Sequence, residues 1–470
     1  MGLVASAAAR SSAGWNVRPL ALLTGSLLVT ACTTQVDTVA DLPSGVSAGK
    51  GMEGSAQPTF SACPGGGTTS VSGTVVAPTP PRFGRPDPLY NALVYVPTTA
   101  VAPFSPGVAC DRCGTVSGAP QATAVTGPDG TFKLTGLSPG RQVPLVVQIG
   151  RWRRQVVIPE VTACTDTALP TELTRMPRNQ TEGDIPAIAI ATGQWDPFDC
   201  TLRKIGIDEA EFTLPGDAGR VNMWTYRGHH LGIATPNGDR LVGDPATLAR
   251  YDIVLLPCDS AGQKNPAYQK NLLDYTNKGG RIFLTDWSDS WLRDGVGGTF
   301  ENTVVWKSGT RFLPGTDFVG RIDQQFPKGI SFSQWLALVG VTGMVSGQIA
   351  IHDPLESVSI IAGVVPPTQS WIYTDGSAPS IQNFTFNTPV GVPDSQQCGR
   401  VAFSQFHVAS DSNNQTPLMT TAAVPGQLVQ PTFPSECNNG PMTSLEKAVE
   451  FMLFDASSCI QADVGSPVIP

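Results

Sequence analysis

Residues 1–32 constrain what this chain becomes more than any other stretch, because they set the compartment in which it folds. Residues 19–31 form an apolar run, and the only charged side chains ahead of it are Arg10 and Arg18. A basic lead, about a dozen apolar residues and a small residue before the cut make an export signal, too short to span a bilayer. The fold is therefore expected in oxidising surroundings, where cysteines pair. Nine cysteines follow Cys32, so one is expected to stay free or to pair outside the chain. Disulfides are expected among Cys63, Cys110, Cys113 and Cys164. Cys110-x-x-Cys113 is half of a zinc spacing, but the second half is missing and no histidine lies near it in sequence. No metal and no other cofactor is expected from it.

The residue types favour loops and strands over a helical bundle. Gly and Pro number 49 and 41, while only 14% of residues are charged. A net charge of −8 excludes nucleic acid as a partner. The one basic cluster, Arg151-Trp152-Arg153-Arg154, reads as a solvated strand end. No later segment has 18 consecutive apolar residues, so no span is expected after Cys32. An exported chain of roughly 440 residues predicts two or three domains.

Residues 32–68 read as a flexible tether rich in Gly, Ser, Thr, Ala and Pro, ending in Cys63-Pro64-Gly65-Gly66-Gly67. Residues 69–170 carry short alternating runs at 71–76, 91–96, 122–126, 131–134, 143–149 and 155–158, as an all-β sandwich requires. Asp129-Gly130 between two of them predicts a hairpin, since Gly accepts a positive φ there. Residues 171–184 read as a linker. From 185 to 462 apolar runs alternate with helical patterns. Strands are predicted at 185–192, 221–226, 252–257, 281–286 and 399–408, and helices at 198–205, 268–275 and 444–454. About 100 less regular residues, roughly 295–397, interrupt the alternation, and 463–470 is a tail. Strand–helix alternation predicts an α/β, flavodoxin-like open parallel sheet with helices on both faces.

Three resemblances follow from these residues. Val29-Thr30-Ala31 leading into Cys32 resembles the lipobox of bacterial lipoproteins. That resemblance implies a signal peptide over 1–31 and a diacylglycerol on the Cys32 thiol, often with a further acyl chain such as palmitate on its amino group. Two or three chains anchor far more firmly than one, each buried methylene adding about 0.8 kcal/mol. Thr33 is not the Asp that lipoproteins retained in the inner membrane often carry, which implies the outer membrane or cell surface. SGTV, NALVYV, TGPDGTFKLTGLSPG and LVVQIG are similar to carboxypeptidase regulatory-like domains, a transthyretin-like sandwich in the carbohydrate-binding-like group, with an insertion over about 97–120. YDIVLLPC, a helix, KGGRIFLTD, a long insertion, GRVAFSQFHV and a last helix resemble class I glutamine amidotransferase-like domains of the trehalose-utilisation type.

Ligands in open α/β sheets bind beyond the carboxyl ends of the strands, which selects Asp259 and Ser260, Asp286 and Ser288, and His407. An amidotransferase needs a nucleophilic Cys on the sharp turn after the fourth strand and a His-x-Glu pair downstream. Thr285-Asp286-Trp287-Ser288 stands at that turn, and His407 is followed by Val408 and Ala409. Amidotransferase activity is therefore not expected. A hydrolase would use Ser288 as nucleophile, His407 as base and Asp286 or Asp259 to orient it, although no G-x-S-x-G surrounds Ser288. Against this, Asp286 and Ser288 are expected to cap the following helix, and His407 to end a half-buried strand. Asp286, Asp289 and Asp294 could instead hold a hard cation, but their spacing fits no calcium loop, and solvated carboxylates are more usual. His229 and His230, adjacent in sequence, would point to opposite faces of a strand. Trp287, Trp291, Trp306, Trp335 and Trp371 are candidates for stacking on sugars but more often fill cores.

The strand directions carry a disulfide expectation. Cys398 precedes the last strand and Cys459 follows the antiparallel last helix, so both belong at the sheet's amino end and are expected to bridge. Cys200 and Cys258 are expected to bridge at the other end, leaving Cys437 free. The functional expectation is a lipid-anchored envelope protein that binds or displays and is not an enzyme, touching the membrane through its lipid and taking a glycan or an envelope protein as ligand. The alternative is an envelope hydrolase acting at the strand ends.

Overall fold

A computed structural model of the chain describes residues 63–468, apart from Gln194 and residues 260–263, 294–299, 309–317, 342–344, 352–358, 376–378, 409–419, 422–427, 430–431 and 436. The expected signal, Cys32, most of the tether, Ser260 and Asp294 lie outside the described residues.

Seven short strands come first: β1 (Ser70–Thr74), β2 (Leu93–Pro97), β3 (Pro120–Val125), β4 (Thr131–Thr135), β5 (Gly140–Ile149), β6 (Trp152–Val161) and β7 (Asp166–Ala168). They form a four-stranded sheet ordered β3-β2-β5-β6 and a three-stranded sheet ordered β4-β1-β7. Val71 and Leu134 from the smaller sheet share one buried cluster with Val94, Leu145 and Val147 from the larger. The Asp129-Gly130 turn forms where predicted: Gly130 has φ +70, and a Cβ there would come 2.5 Å from the Val75 carbonyl oxygen. Cys63 is bonded to Cys164 just before β7, which ties the start of the described chain to this sheet. The stretch expected as a linker carries α1 (Thr171–Thr174). Arg175 follows it and pairs with Glu182 at 2.6 Å and Glu172 at 2.8 Å.

The second part is built on β8 (Ile188–Thr192), β9 (Phe212–Thr213), β10 (Val221–Thr225), β11 (Ile253–Leu256), β12 (Arg281–Thr285), β13 (Val304–Ser308), β14 (Phe318–Ile322), β15 (Gln348–Ile351), β16 (Ser359–Val364), β17 (Gln369–Thr374), β18 (Ser380–Thr388) and β19 (Gly399–Ser404). A ten-stranded mixed sheet runs β15-β14-β17-β18-β19-β12-β11-β8-β10-β9. The six strands from β9 to β19 are parallel; the four from the insertion are antiparallel. This corrects the expectation of a wholly parallel sheet. The insertion does not hang from the sheet but pairs onto β19, covering an edge that would otherwise expose free amides and carbonyls.

Successive strand residues face opposite ways, and both faces here are buried. Ile253 and Leu255 of β11 enter one cluster with Phe198, Leu445 and Phe454; Val254 and Leu256 enter the other with Leu241, Leu272 and Tyr275. This is why the parallel strands read as unbroken apolar runs. The first face is covered by α2 (Phe198–Ile205) and α8 (Ser444–Ser457). The second is covered by α3 (Asp239–Val242), α4 (Pro245–Leu248) and α5 (Pro266–Asn277). The Asn265 side chain accepts the Ala267 amide at the start of α5, and Thr443 with Glu446 makes a reciprocal cap on α8. Two further helices are α6 (Ser290–Arg293) and α7 (Pro327–Leu338). Among the described residues no helix is long and apolar enough to cross a membrane.

The first sheets pack on this second part. Trp152 of β6 lies 5.6 Å from Phe454 of α8, and Trp335 of α7 donates to the Pro88 carbonyl at 2.5 Å. Residues 97–120 cross to the amino end of the large sheet, where Cys110 bonds Cys398 and Cys113 bonds Cys459. The expected Cys398–Cys459 bridge is thus corrected. Both cysteines do lie at that end, but each is taken by one sulfur of the Cys110-x-x-Cys113 pair. Cys110 and Cys113 therefore do not pair with Cys63 or Cys164. Cys200 of α2 bonds Cys437, so Cys437 is not free and Cys200 does not reach Cys258. Cys258 is buried and is the free cysteine among the described residues.

Candidate functional site

Four adjacent parallel strands, β8, β11, β12 and β19, end together, and each sends a side chain into the same place. Asp196 follows β8, Cys258 and Asp259 follow β11, Asp286 and Ser288 follow β12, and His407 follows β19. Gly193 makes the convergence possible: a Cβ on it would sit 2.0 Å from the Cys258 carbonyl oxygen, so any other residue would push the ends of β8 and β11 apart.

His407 stands at the centre. Its Nδ1 lies 3.2 Å from Asp196 Oδ1 and its Nε2 lies 3.3 Å from Asp286 Oδ2. Asp196 is further fixed by the Val408 amide at 2.7 Å and by the Thr285 hydroxyl. That hydroxyl in turn accepts the Cys258 amide at 2.8 Å. The Cys258 thiol lies 3.4 Å from Asp286 Oδ2. Asp286 itself has φ +38, a left-handed conformation that few residues besides Gly, Asn and Asp adopt. It occupies the sharp turn after β12 and presents its carboxyl group there.

Burial and charge oppose each other across this group. Burial alone would depress the His407 imidazole, but Asp196 and Asp286 outweigh it and lift its pKa to about 10. Burial would raise Asp196, yet His407, Thr285 and the Val408 amide hold it below the usual carboxylate value. Burial raises Asp286 against the pull of His407. Burial, then Asp286 and Asp196, pushes the Cys258 thiol well up. His407 is thus biased toward the imidazolium and Cys258 toward the protonated thiol.

The four candidate residues do not all act together. Asp286 and His407 meet, 3.3 Å apart. Ser288 is buried and gives its proton to the Pro257 carbonyl at 2.8 Å, and it is Asp286 that faces His407 Nε2. The Asp286 side chain does not cap the short turn after β12; Thr285 holds the cap position with no side-chain cap bond. Asp259 lies at the rim with Lys264 at 3.6 Å. The Lys264 ammonium sits 4.9 Å over the Trp291 ring and 5.7 Å over Tyr226. Trp195 tilts against His407 at 6.1 Å. Asp196 and Cys258 were missed by sequence reading, Asp196 because it stands four residues past its strand and Cys258 because a disulfide was expected of it. The strand-end rule, extended a few residues, would have found both.

The remaining candidates separate. His229 is fully buried, with Nδ1 2.6 Å from Asp199 Oδ2 and 3.7 Å from Cys200 Sγ. His230 accepts the Gly232 amide at 3.0 Å. Asp289 pairs with Arg293 at 3.2 Å. Trp335 and Trp371 are core, Trp371 packing edge-on against Phe326 at 4.9 Å.

No family model matches the chain, and no curated protein does. Among solved structures it is similar to a ThuA-like protein from Bacteroides uniformis, at 6% identity over 47% of this chain and 80% of that one, with a TM-score of 0.27. A cytoplasmic protein from Salmonella typhimurium is similar at 11% identity over 49% and 91% of the two chains, with a TM-score of 0.27. A beta-galactosidase from Bacillus circulans sp. alkalophilus is similar at 10% identity over 50% and 32%, with a TM-score of 0.24.

Proposed function

We propose that this chain is a lipid-anchored envelope protein of the outer membrane or cell surface, whose body binds or displays rather than hydrolyses. In this reading Cys32 carries the lipid, a flexible tether follows, and a carboxypeptidase regulatory-like sandwich stands beside a ThuA-like α/β body. Its ligand is a glycan or another envelope component. One observation carries the non-catalytic half. Both ring nitrogens of His407 face carboxyl groups, Nδ1 toward Asp196 and Nε2 toward Asp286, and the Ser288 hydroxyl donates to the Pro257 carbonyl, so neither is turned to the other as a base and nucleophile must be.

The test uses the full chain purified in detergent. Binding to peptidoglycan or envelope glycans in a pull-down, with no turnover across a panel of ester, amide and glycoside substrates, is the expected result. Turnover that disappears in both Ser288→Ala and His407→Ala overturns it in favour of the hydrolase. The anchor is tested separately by labelling cells with an alkyne fatty acid: label on the wild type and none on Cys32→Ala is expected, and an unlabelled wild type overturns it.

A further inference from the structure

We infer that the end of the parallel sheet is a binding site for a divalent metal ion of the zinc class, held by Cys258 Sγ, His407 Nε2 and Asp286 Oδ2. This goes beyond the envelope reading and stands independently of it. The two edges that meet at Asp286 Oδ2 already have the lengths of a coordination shell. With metal bonds of about 2.0 Å to nitrogen or oxygen and 2.3 Å to sulfur, tetrahedral ligands lie about 3.3 Å apart for an N–O edge and about 3.5 Å for an S–O edge. Asp286 Oδ2 lies 3.3 Å from His407 Nε2 and 3.4 Å from Cys258 Sγ. Asp196, Cys258 and His407 also present ligand atoms that all fall within 4.8 Å of one another.

The surroundings support a metal rather than a merely packed ion pair. The second oxygen of Asp286 is buried and has no hydrogen-bond partner among the described residues, an expensive state for a carboxylate unless something else engages it. Asp196 sits on the opposite ring nitrogen, Nδ1, where a carboxylate orients an imidazole whose other nitrogen binds a metal. Thr285 and the Val408 amide fix Asp196 in turn. A thiolate, an imidazole and one carboxylate select zinc or cobalt over calcium or magnesium, which prefer oxygen alone. Three protein ligands leave a fourth position open. Binding is a proton exchange: the metal takes the sulfur and nitrogen lone pairs, and the thiol and imidazolium protons leave to solvent.

A second group of suitable residues shows why this one is singled out. Asp199, Cys200, His229 and Cys437 are equally clustered and buried. There, however, the two sulfurs are bonded to each other, and no thiolate remains to coordinate.

Cobalt(II) added to the chelator-stripped full chain in detergent tests the inference. One equivalent should bind and give the sulfur-to-cobalt charge-transfer absorption of a thiolate ligand. Cys258→Ser should abolish that absorption, and Asp196→Asn should weaken binding by about tenfold or more while keeping it. Ser288→Ala should leave both unchanged. A folded wild type that shows no thiolate absorption overturns the site, as does an absorption that survives Cys258→Ser. Should that variant fail to fold, X-ray absorption at the zinc edge of the zinc-loaded wild type decides. One sulfur with nitrogen and oxygen neighbours is expected, and a shell without sulfur overturns the proposal.

Discussion

The strand β19 carries a buried cation at each end, and the two ends are balanced differently. At the amino end Arg400 lies 2.6 Å from both Asp455 and Asp463, and Lys328 lies 2.8 Å and 3.3 Å from the same pair. Two cations meet two carboxylates, Asn387 accepts from Arg400 Nη1, and Thr385 accepts from its Nη2. Beside them two disulfides close the same end of the sheet. At the carboxyl end one imidazolium faces two carboxylates, a thiol stays free, and one carboxylate oxygen is left over. The first arrangement balances two cations against two carboxylates, with the Arg400 Nε the one guanidinium nitrogen that has no partner among the described residues, and reads as structure. The second lacks one positive charge, and an imbalance kept in a buried place reads as a site made for something that arrives later.

The largest expected effect breaks the first end. Arg400→Met leaves two buried carboxylates facing Lys328 alone, and removing one partner of a buried network typically costs about 3–5 kcal/mol. Denaturant unfolding should show that loss, while Asp286→Asn, which removes a surplus charge, should cost far less. Equal losses would erase the distinction between the two ends. Next comes the staple. Cys113→Ser opens the bond to Cys459, and the loss of a native disulfide typically destabilises by about 2–5 kcal/mol. A melting temperature unchanged in this variant would mean that the crossing of residues 97–120 holds without it.

The two ends should also fail at opposite extremes of pH. Arg400 and Lys328 outweigh burial and hold Asp463 down to about 2. Its unfolded value is about 3.9, so its contribution is complete above that value and is lost as pH falls through about 2. His407 is raised to about 10 from an unfolded value of about 6.5. Its contribution is complete below about 6.5 and is lost as pH rises through about 10. Unfolding free energy of the chelator-stripped chain measured against pH should therefore fall on both sides. Asp463→Asn should flatten only the acid limb and His407→Gln only the alkaline limb. An alkaline limb unaffected by His407→Gln would mean that the imidazole is not held charged.

Much of this arrangement was readable from the residues alone. Unbroken apolar runs such as Ile253-Val254-Leu255-Leu256 identify buried parallel strands, and their order places Asp259, Asp286, Ser288 and His407 at one end. The strands of the insertion were not readable. Gln369–Thr374 and Ser380–Thr388 are buried on both sides, so the alternation that marks an exposed antiparallel strand is absent. The disulfides failed for a different reason. The Cys110–Cys398 bond spans 288 residues, and only the path of residues 97–120 across the sheet decides it. At the site, position was legible but direction was not. Whether Asp286 turns back to cap its helix or inward to His407 depends on one left-handed residue, and no periodicity reports that.

Ser288→Ala carries the smallest expected effect and sharpens the comparison most. Its hydroxyl donates to the Pro257 carbonyl inside the same group of loops, so its removal should cost about 0.5–1.5 kcal/mol, the net value of one buried hydrogen bond. That bond links the end of β11 to the turn after β12, the two segments that position Cys258 and Asp286. If Ser288 only braces the loops, the variant loses this small stability, binds cobalt as the wild type does, and keeps the same thiolate absorption. If it is a nucleophile, stability scarcely changes and any turnover disappears. The two roles move different readouts, so one variant measured by unfolding, metal titration and substrate panel assigns Ser288 to the scaffold or to the chemistry.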